Sequence, residues 1–273
     1  MFTSSGRARI AYDVAGAEDA AHDVLLLHAG VTDRRSWQAL VETLSPRHRC
    51  VRYDARGYGE TTYQREDGWS PVDDAVAVLE AAGVASAVVV AGSMGGAVAL
   101  DLALAHPDRV RALVLIGSAV RGAPYPEITE PRTSDLVARA DAAEEAADWE
   151  TLNRLEAWIW LDGPTVAEGR VSGPARELFL EMNDRALRAE DPGARAQLDE
   201  TWPRLGEIRV PVLVMVGRLD LEDIRAVGEA LAEALPEGHL VWLDGVAHLP
   251  QLEGDPTTLR AIADFVDGLP AGG

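Results

Sequence analysis

The sequence predicts an α/β protein with a mostly parallel central sheet, and three observations support this prediction. Four short apolar runs without polar alternation are typical of strands that are buried on both faces of a sheet. Segments with helical periodicity separate most of the runs, and this alternation is the pattern of a doubly wound α/β fold. The residues between about 120 and 205 contain no convincing strand, which indicates a helical insertion between two strands of the sheet.

The predicted elements follow from local composition. The strand runs are rich in Val, Leu and Ile and lie at 24–27, 88–91, 113–116 and 212–216, with weaker candidates at 50–53 and 240–243. The helical patterns cover 37–44, 72–82, 96–105, 224–235 and 258–266. We therefore expect a core domain over residues 1–120 and 206–273. Residues 121–205 form the insertion, and their mixed charges indicate solvated helix faces.

Composition excludes several classes of partner. The 273 residues carry 25 basic and 45 acidic side chains, which gives a formal charge of −20 and no run of three arginines. Such a surface repels nucleic-acid phosphates and anionic membranes, so the expected partner is a small-molecule substrate. A homodimer is left open.

Cysteine content and the apolar stretches bear on cofactors and location. With Cys50 alone, an intramolecular disulfide and a metal site made of several cysteines are excluded, and no metal or other cofactor is expected. The uncharged stretch 81–100 reads as a strand, a turn and a helix rather than a membrane span, since it holds four Gly and two Ser. Residues 1–16 lack an apolar stretch of signal-peptide length, so a cytoplasmic protein is expected.

The most informative stretch places Ser93 at a turn between a predicted strand and a predicted helix. Ala91 and Gly95 flank the serine at two residues on either side, and small flanks are required where a nucleophile stands on a sharp, strained turn. Ala91 stands where glycine is usual, and Gly92 where a larger residue is common. The alternative is an ordinary glycine-rich turn with a solvated serine.

Two backbone amides are candidates for stabilising an oxyanion near Ser93. Met94 opens the predicted helix, so its N–H has no partner within that helix and can donate to a developing negative charge. A second amide can come from the loop after the strand at 24–27, where Gly30 is the first choice and Val31 the alternative. His28 in the same loop is expected to form structural hydrogen bonds.

A serine nucleophile needs a base, and the chain has six histidines. His48 and His106 lie at element ends beside polar residues and are expected to be exposed. His248 alone lies in a loop directly after a late strand, at the carboxyl edge of the sheet where open α/β folds assemble their sites. We therefore predict that His248 is the base.

The base in turn needs a carboxylate that fixes its tautomer. Asp220 is the first carboxylate after the strand at 212–216, and Glu222 and Asp223 compete with it as helix-capping acids. The turn after the preceding strand, residues 117–122, holds no acid, which favours Asp220. The resulting order along the chain is Ser93, Asp220, His248.

Together these motifs resemble the α/β-hydrolase superfamily, in its serine-nucleophile esterase and enol-lactonase-like branch. The similarity includes His28-Ala-Gly, Tyr53-Asp-Ala-Arg-Gly-Tyr-Gly59, the turn at Ser93, Gly217-Arg-Leu-Asp220 and Gly245-Val-Ala-His-Leu-Pro250. It implies an α/β-hydrolase fold in which residues 121–205 form a helical cap over the pocket. It also implies that Asp54 and Arg56 are scaffold residues.

The cap is where substrate selection is expected, and the sequence says less about it. Trp158 and Trp160 are candidates for an apolar roof over the substrate, and the alternative for each ring is packing of cap on sheet. Val31 is a further candidate for the substrate pocket. An oxoadipate-type lactone would need an arginine for its carboxylate, and Arg34, Arg35 and Arg121 are candidates.

The resulting functional hypothesis is a serine hydrolase that cleaves a small carboxylic ester or lactone through an acyl-enzyme on Ser93. A 3-oxoadipate enol-lactonase-like lactonase and a C–C bond hydrolase are the first alternatives. A further alternative is a slow-turnover ligand receptor with the same fold. Serine at the turn argues against epoxide opening and halide displacement, for which similar proteins use aspartate there.

Overall fold

The computed structural model of the chain describes residues 1–17 and 19–270. The strands of this part are Phe2–Ser5 (β1), Ala8–Ala15 (β2), Asp23–Leu27 (β3), Arg49–Tyr53 (β4), Thr62–Tyr63 (β5), Ala87–Gly92 (β6), Val110–Ile116 (β7), Val212–Gly217 (β8) and Gly238–Leu243 (β9). Its α-helices are Gln38–Leu44 (α1), Pro71–Ala81 (α2), Met94–Ala105 (α3), Pro131–Glu145 (α4), Trp149–Glu156 (α5), Pro174–Leu187 (α6), Glu222–Ala234 (α7), Pro250–Glu253 (α8) and Pro256–Asp267 (α9). A π-helical segment, Ala157–Asp162, continues α5.

One sheet contains all of these strands, in the order β1-β2-β4-β3-β6-β7-β8-β9, with β5 paired to β2. In this spatial order, neighbouring strands from β4 to β9 are parallel. In contrast, β2 runs antiparallel to β1, β4 and β5. This is an α/β-hydrolase fold with a mostly parallel sheet flanked by helices, so the predicted fold class is confirmed.

The hydrophobic core lies on both faces of the sheet because successive side chains of a strand point to opposite sides. Leu25 and Leu27 of β3 pack on one face with residues of α2, α3 and α7. Val24 and Leu26 pack on the other face with residues of α1 and α9. The central strands therefore need apolar residues at every position, which explains their continuous apolar runs.

The antiparallel edge at the amino terminus was not predicted. In β2 the buried residues Ile10–Tyr12 are bounded by exposed Arg9 and half-buried Asp13. This run of three is shorter than the runs of four or five apolar residues by which the central strands were recognised.

Between β7 and β8 the described chain is helical, with α4, α5, the π-helical segment and α6, and it contains no strand. Leu136, Leu152, Leu155 and Ile159 form the interior of this helical insertion. Ala157, Leu161 and Phe179 pack against Ala29 and Leu249 of the loops that follow β3 and precede α8. The insertion thus lies over the carboxyl edge of the sheet, and the predicted division into core and cap stays a prediction.

The uncharged stretch 81–100 comprises the end of α2, the strand β6, the Ser93 turn and the first part of α3. Within the described residues, none of the helices combines the length and apolar character that crossing a membrane requires.

Candidate active site

Ser93 joins β6 to α3 in a strained backbone conformation, with φ +49° and ψ −116°. Such a conformation is unfavourable for a residue with a side chain and persists only where the surroundings fix it. Here the Ser93 N–H donates to the Ile116 carbonyl at 2.9 Å. The Ser93 carbonyl accepts from the N–H groups of Gly96 at 2.8 Å and Ala119 at 3.1 Å. These three backbone hydrogen bonds hold the serine at the carboxyl edge of the sheet.

Close packing around the turn explains its small residues. A methyl group on Gly95 would lie 2.8 Å from the His28 carbonyl oxygen and closer still to the Leu27 carbonyl. A methyl group on Gly96 would overlap the Ser118 side chain. Gly92 is different, because the nearest atom to an added methyl group, the Gln251 Nε2, is 3.8 Å away. The start of α3 therefore needs glycine for its close approach to the strand ends, whereas the position before Ser93 has room.

Substituting alanine at these two glycines should give opposite results. Gly95→Ala is expected to lower the free energy of unfolding by about 2 kcal/mol or more, because its methyl group meets backbone that cannot move aside cheaply. Gly92→Ala is expected to be neutral or stabilising by up to about 1 kcal/mol, since alanine lowers the entropy of the unfolded chain. Urea unfolding of both variants tests this contrast, and equal destabilisation by the two would contradict it.

His248 and Asp220 form a buried hydrogen-bonded pair. The His248 Nδ1 and the Asp220 Oδ2 are 2.7 Å apart, and each residue is 2% exposed. Asp220 follows β8, and its Oδ1 accepts the Leu221 N–H at 2.8 Å. Because the carboxylate is an acceptor, Nδ1 of a neutral imidazole carries the proton and Nε2 keeps a lone pair that can receive another.

The competing carboxylates are engaged elsewhere. Glu222 accepts from the N–H groups of Thr129 and Glu130 in the insertion. Asp223 accepts the Ile224 N–H at 2.8 Å, at the start of α7. Of the three acids considered after β8, the structure brings Asp220 to His248.

Gly117 connects this pair to the Ser93 turn. Gly117 follows Ile116, whose carbonyl accepts the Ser93 N–H. A methyl group on Gly117 would lie 2.8 Å from the His248 Nδ1 and 3.2 Å from the Asp220 Oδ2, so the imidazole and the carboxylate rest directly on this glycine. The Ser93 turn and the His248–Asp220 pair therefore both contact the chain at the end of β7, the turn through Ile116 and the pair through Gly117.

The two predicted oxyanion donors are also neighbours. An added methyl group on Gly30 would lie 3.7 Å from the Met94 Cβ and 3.5 Å from the Tyr58 hydroxyl. Among the described residues, no protein acceptor receives the N–H of Gly30, Val31 or Met94. The sequence interpretation did not select Tyr58. Its hydroxyl donates to the Met94 Sδ at 3.7 Å, beside the two predicted oxyanion donors.

His28 is a structural residue, as predicted. Its Nε2 accepts the Ala55 N–H at 3.0 Å, which requires that nitrogen to be unprotonated, and its Nδ1 lies 2.8 Å from the Ala29 carbonyl. Burial lowers the pKa of His28 because the charged imidazolium would lose its hydration. The neutral imidazole therefore ties the Gly30 loop to the chain that follows β4.

The lowered pKa of His28 should make unfolding pH-dependent. The unfolded chain takes up the proton more readily, so the free energy of unfolding is expected to fall as pH drops below about 6.5, by at most about 1.4 kcal/mol per pH unit from this group. Urea unfolding of wild type and His28→Gln between pH 8 and 5 should show a shallower decline in the variant. His239→Gln, which changes an exposed side chain, serves as the control. A decline of equal slope in wild type and His28→Gln would contradict this origin.

Other histidine and motif residues have structural contacts. His48 is buried, so its predicted exposure is wrong: its Nε2 lies 2.9 Å from the Asp267 Oδ1 and its ring stacks on His22. Arg56 donates to both carboxylate oxygens of Asp74 at 2.9 and 3.0 Å. The predicted scaffold residue Asp54 accepts the backbone N–H groups of Arg34 and Glu60.

The three arginines considered for a substrate carboxylate already bind protein carboxylates. Arg35 pairs with Asp33 and Glu181, each at 2.8 Å, and Arg121 pairs with Asp101 at 2.7 Å. The ion-pair partners of Arg34 are Asp13, Asp54 and Glu60. Arg195, which the sequence interpretation did not select, lines a small cavity beside Met94 and Tyr58 and lies over the Trp69 ring.

The two tryptophans proposed for the roof have different positions. The Trp160 ring lies against the His248 ring, with 4.7 Å between their centroids, and its carbonyl accepts the His248 N–H at 3.2 Å. The Trp158 indole donates to the Val166 carbonyl at 3.0 Å, and Arg132 lies over its ring. The structure therefore brings Trp160 to His248, whereas the described contacts of Trp158 stay within the insertion. Val31, which follows Gly30 in the chain, is partly buried against the cluster that contains Ala29 and Leu249.

Metal-ligating side chains do not cluster in the described residues: no group of three or more His, Cys, Asp or Glu is placed to hold a metal ion. Cys50 is buried in β4, and burial raises the pKa of its thiol to about 12.

Fold and site geometry together are those of the α/β-hydrolase class, in which a strained serine turn and a histidine–carboxylate pair meet at the carboxyl edge of the sheet. The alpha/beta hydrolase family model matches residues 24–262, and the chain therefore belongs to this family.

Similar proteins include a pimeloyl-(acyl-carrier protein) methyl ester esterase of Neisseria meningitidis serogroup B. It is 30% identical over 259 residues, which cover 92% of this chain and 95% of the esterase. A 2-hydroxymuconate semialdehyde hydrolase of a Pseudomonas species is 40% identical over 116 residues, 39% of each chain. The structure of the enol-lactonase from Burkholderia xenovorans LB400 superposes with a TM-score of 0.77 at 23% identity, covering 98% of this chain and 100% of the lactonase.

Proposed function

We propose that the protein is a serine hydrolase that cleaves small carboxylic esters or lactones through an acyl-enzyme on Ser93. The observation that carries this proposal is the strained Ser93 turn after β6, which hydrogen-bonds to the end of β7, where Gly117 contacts a buried His248–Asp220 pair. The Neisseria relative is named as a methyl ester esterase, which supports the same class of reaction.

In the proposed acylation step, the Ser93 hydroxyl attacks the substrate carbonyl while the His248 Nε2 takes its proton. Asp220 keeps the Nδ1 proton in place and stabilises the imidazolium that forms. The imidazolium then protonates the leaving alkoxide, or the ring oxygen of a lactone, and the C–O bond breaks. In deacylation a water molecule gives its proton to Nε2 and attacks the acyl carbon, and the returning proton regenerates the Ser93 hydroxyl.

The negative charge of each tetrahedral intermediate falls on the former carbonyl oxygen. We assign its stabilisation to the N–H groups of Met94 and Gly30, with Val31 as the alternative to Gly30. Met94 begins α3, so its N–H points out of the helix at the positive end of the helix dipole. Loss of a single donor of this type typically lowers kcat by about 10²–10³-fold.

Ester hydrolysis is preferred to the oxoadipate-type lactonase because Arg34, Arg35 and Arg121 are neutralised by protein carboxylates. A lactonase of that kind would need a cation for the free carboxylate of its substrate, which leaves Arg195 as the arginine to test for that role. C–C bond hydrolysis stays an alternative, since it uses the same nucleophile and base on a ketone.

Mass spectrometry of a trapped acyl-enzyme tests the proposal most directly. Wild type mixed with p-nitrophenyl acetate, p-nitrophenyl butyrate or a panel of lactones should gain the mass of the acyl group on the peptide that contains Ser93. Turnover of the same compounds ranks esters and lactones as substrates. Absence of both an adduct and turnover above that of Ser93→Ala would remove the hydrolase proposal, and it would favour a receptor role for the same fold.

A further inference from the structure

Arg170 joins the helical insertion to the segment that carries His248. Its Nε donates to the Asp162 carbonyl at 2.6 Å, and one Nη2 proton goes to the Leu161 carbonyl at 2.6 Å. One Nη1 proton goes to the Gly245 carbonyl at 2.9 Å. The two remaining N–H groups bind the two Glu253 carboxylate oxygens, each at 2.7 Å. All five guanidinium donors therefore have acceptors, in the planar arrangement that only arginine offers.

The acceptors of Arg170 lie close in sequence to Trp160 and His248, whose rings are in contact. Leu161 and Asp162 directly follow Trp160 in the π-helical segment. Gly245 precedes His248 in its loop, and Glu253 follows it in α8. One side chain thus ties the chain after Trp160 to the chain on both sides of His248.

The linked segments also contact each other directly. The Trp160 and His248 rings lie 4.7 Å apart, and the Trp160 carbonyl accepts the His248 N–H. Burial raises the pKa of Glu253, although hydrogen bonds from Arg170 act in the opposite direction. Each Glu253 carboxylate oxygen accepts one N–H group of Arg170, and this bidentate geometry fixes the relative orientation of the two side chains.

We propose that Arg170 is a positioning residue for the reaction, a proposal that rests on the proposed function. It holds Trp160 over the imidazole of His248 and fixes the loop from which that imidazole reaches the Ser93 turn. Without this link, Trp160 and the His248 loop can shift relative to the sheet. A displacement of about 1 Å of a catalytic group lowers a rate by about 10²-fold.

Steady-state hydrolysis of p-nitrophenyl acetate by Arg170→Met, Arg170→Lys and Glu253→Gln tests the proposal. Arg170→Met is expected to lower kcat by about 10- to 100-fold while KM changes less than about threefold. Arg170→Lys should recover part of kcat, and Glu253→Gln should shift kcat in the same direction as Arg170→Met but less.

Arg176→Met is the matched control. Arg176 also binds the segment after Trp160, through the Asp162 carboxylate at 2.7 Å, but it makes no described contact with Gly245 or Glu253. Its kcat and KM should equal those of wild type, whatever its Tm. A wild-type kcat in Arg170→Met, or equal losses of kcat in both methionine variants, would overturn the positioning role. If Arg170→Met does not fold, the kcat values of Glu253→Gln and Arg176→Met are compared instead. A lower kcat in Glu253→Gln would support the positioning role, and equal values would overturn it.

The two proposals fail in different ways. Absence of Ser93-dependent turnover in wild type removes the proposed function itself. Ser93-dependent turnover that is insensitive to Arg170 removes only the positioning role.

Discussion

Replacing Ser93 by alanine is expected to lower kcat for p-nitrophenyl acetate by about 10⁴-fold or more. The loss should be this large because the proposed reaction forms a covalent bond to the Ser93 hydroxyl, which alanine lacks. The Tm should not fall, since the variant keeps the three backbone hydrogen bonds that hold the turn. Steady-state kinetics with thermal unfolding measure both effects.

Ser118→Ala provides a control of the same chemistry a short distance away. The Ser118 hydroxyl donates to the Ala119 carbonyl at 3.1 Å and lies against Gly96 in α3, so it belongs to the packing of the turn. We expect its kcat to remain within about threefold of wild type. Comparable kcat values for Ser93→Ala and wild type would show that another group performs the observed hydrolysis.

The central part of the fold could be predicted because burial on both faces leaves a simple signal. β3, β6, β7 and β8 consist almost entirely of apolar residues, and each contains one of the predicted runs. β9 is the last strand of the sheet order and is only partly buried, which is why its run was a weaker candidate. Strand prediction was therefore most effective where a strand is buried along nearly its whole length.

The Ser93 turn could be predicted because its constraint is local. Its small residues are required by carbonyl oxygens and side chains that press on the start of α3, so the requirement is visible within a few positions of the serine. That Asp220 and His248 lie close together could be predicted for a related reason. Each residue follows a strand, and the carboxyl ends of neighbouring parallel strands lie at the same edge of the sheet.

The roof of the site depends on long-range packing that the local sequence does not encode. Residues two apart on a helix face different directions, and the sequence does not show which of the two candidates, Trp158 or Trp160, lies at the site. Which ring faces His248 is decided by the π-helical segment and by Arg170, whose partners Gly245 and Glu253 are 75 and 83 residues away. His48 was misjudged for the same reason, because its partner Asp267 is 219 residues away.

Asp220→Asn is the second substitution with a very large expected effect, a decrease of about 10⁴-fold in kcat. The asparagine amide can donate a hydrogen bond to Nδ1, which would place the imidazole proton on Nε2 and leave no lone pair to accept the Ser93 proton. Asparagine also lacks the negative charge that stabilises the imidazolium. Rates measured at several pH values should show the loss throughout the range in which wild type is active.

Asp223→Asn is the matched control because it changes a carboxylate three residues further along, at the start of α7. Asp223 accepts the Ile224 N–H and has no described contact with His248, so its kcat should stay within about threefold of wild type. The two variants lose the same charge from the same end of β8, and a long-range effect of net charge would therefore lower both rates alike. A large loss confined to Asp220→Asn would assign the effect to the 2.7 Å contact with His248. Equal and small losses would mean that the histidine acts without this carboxylate.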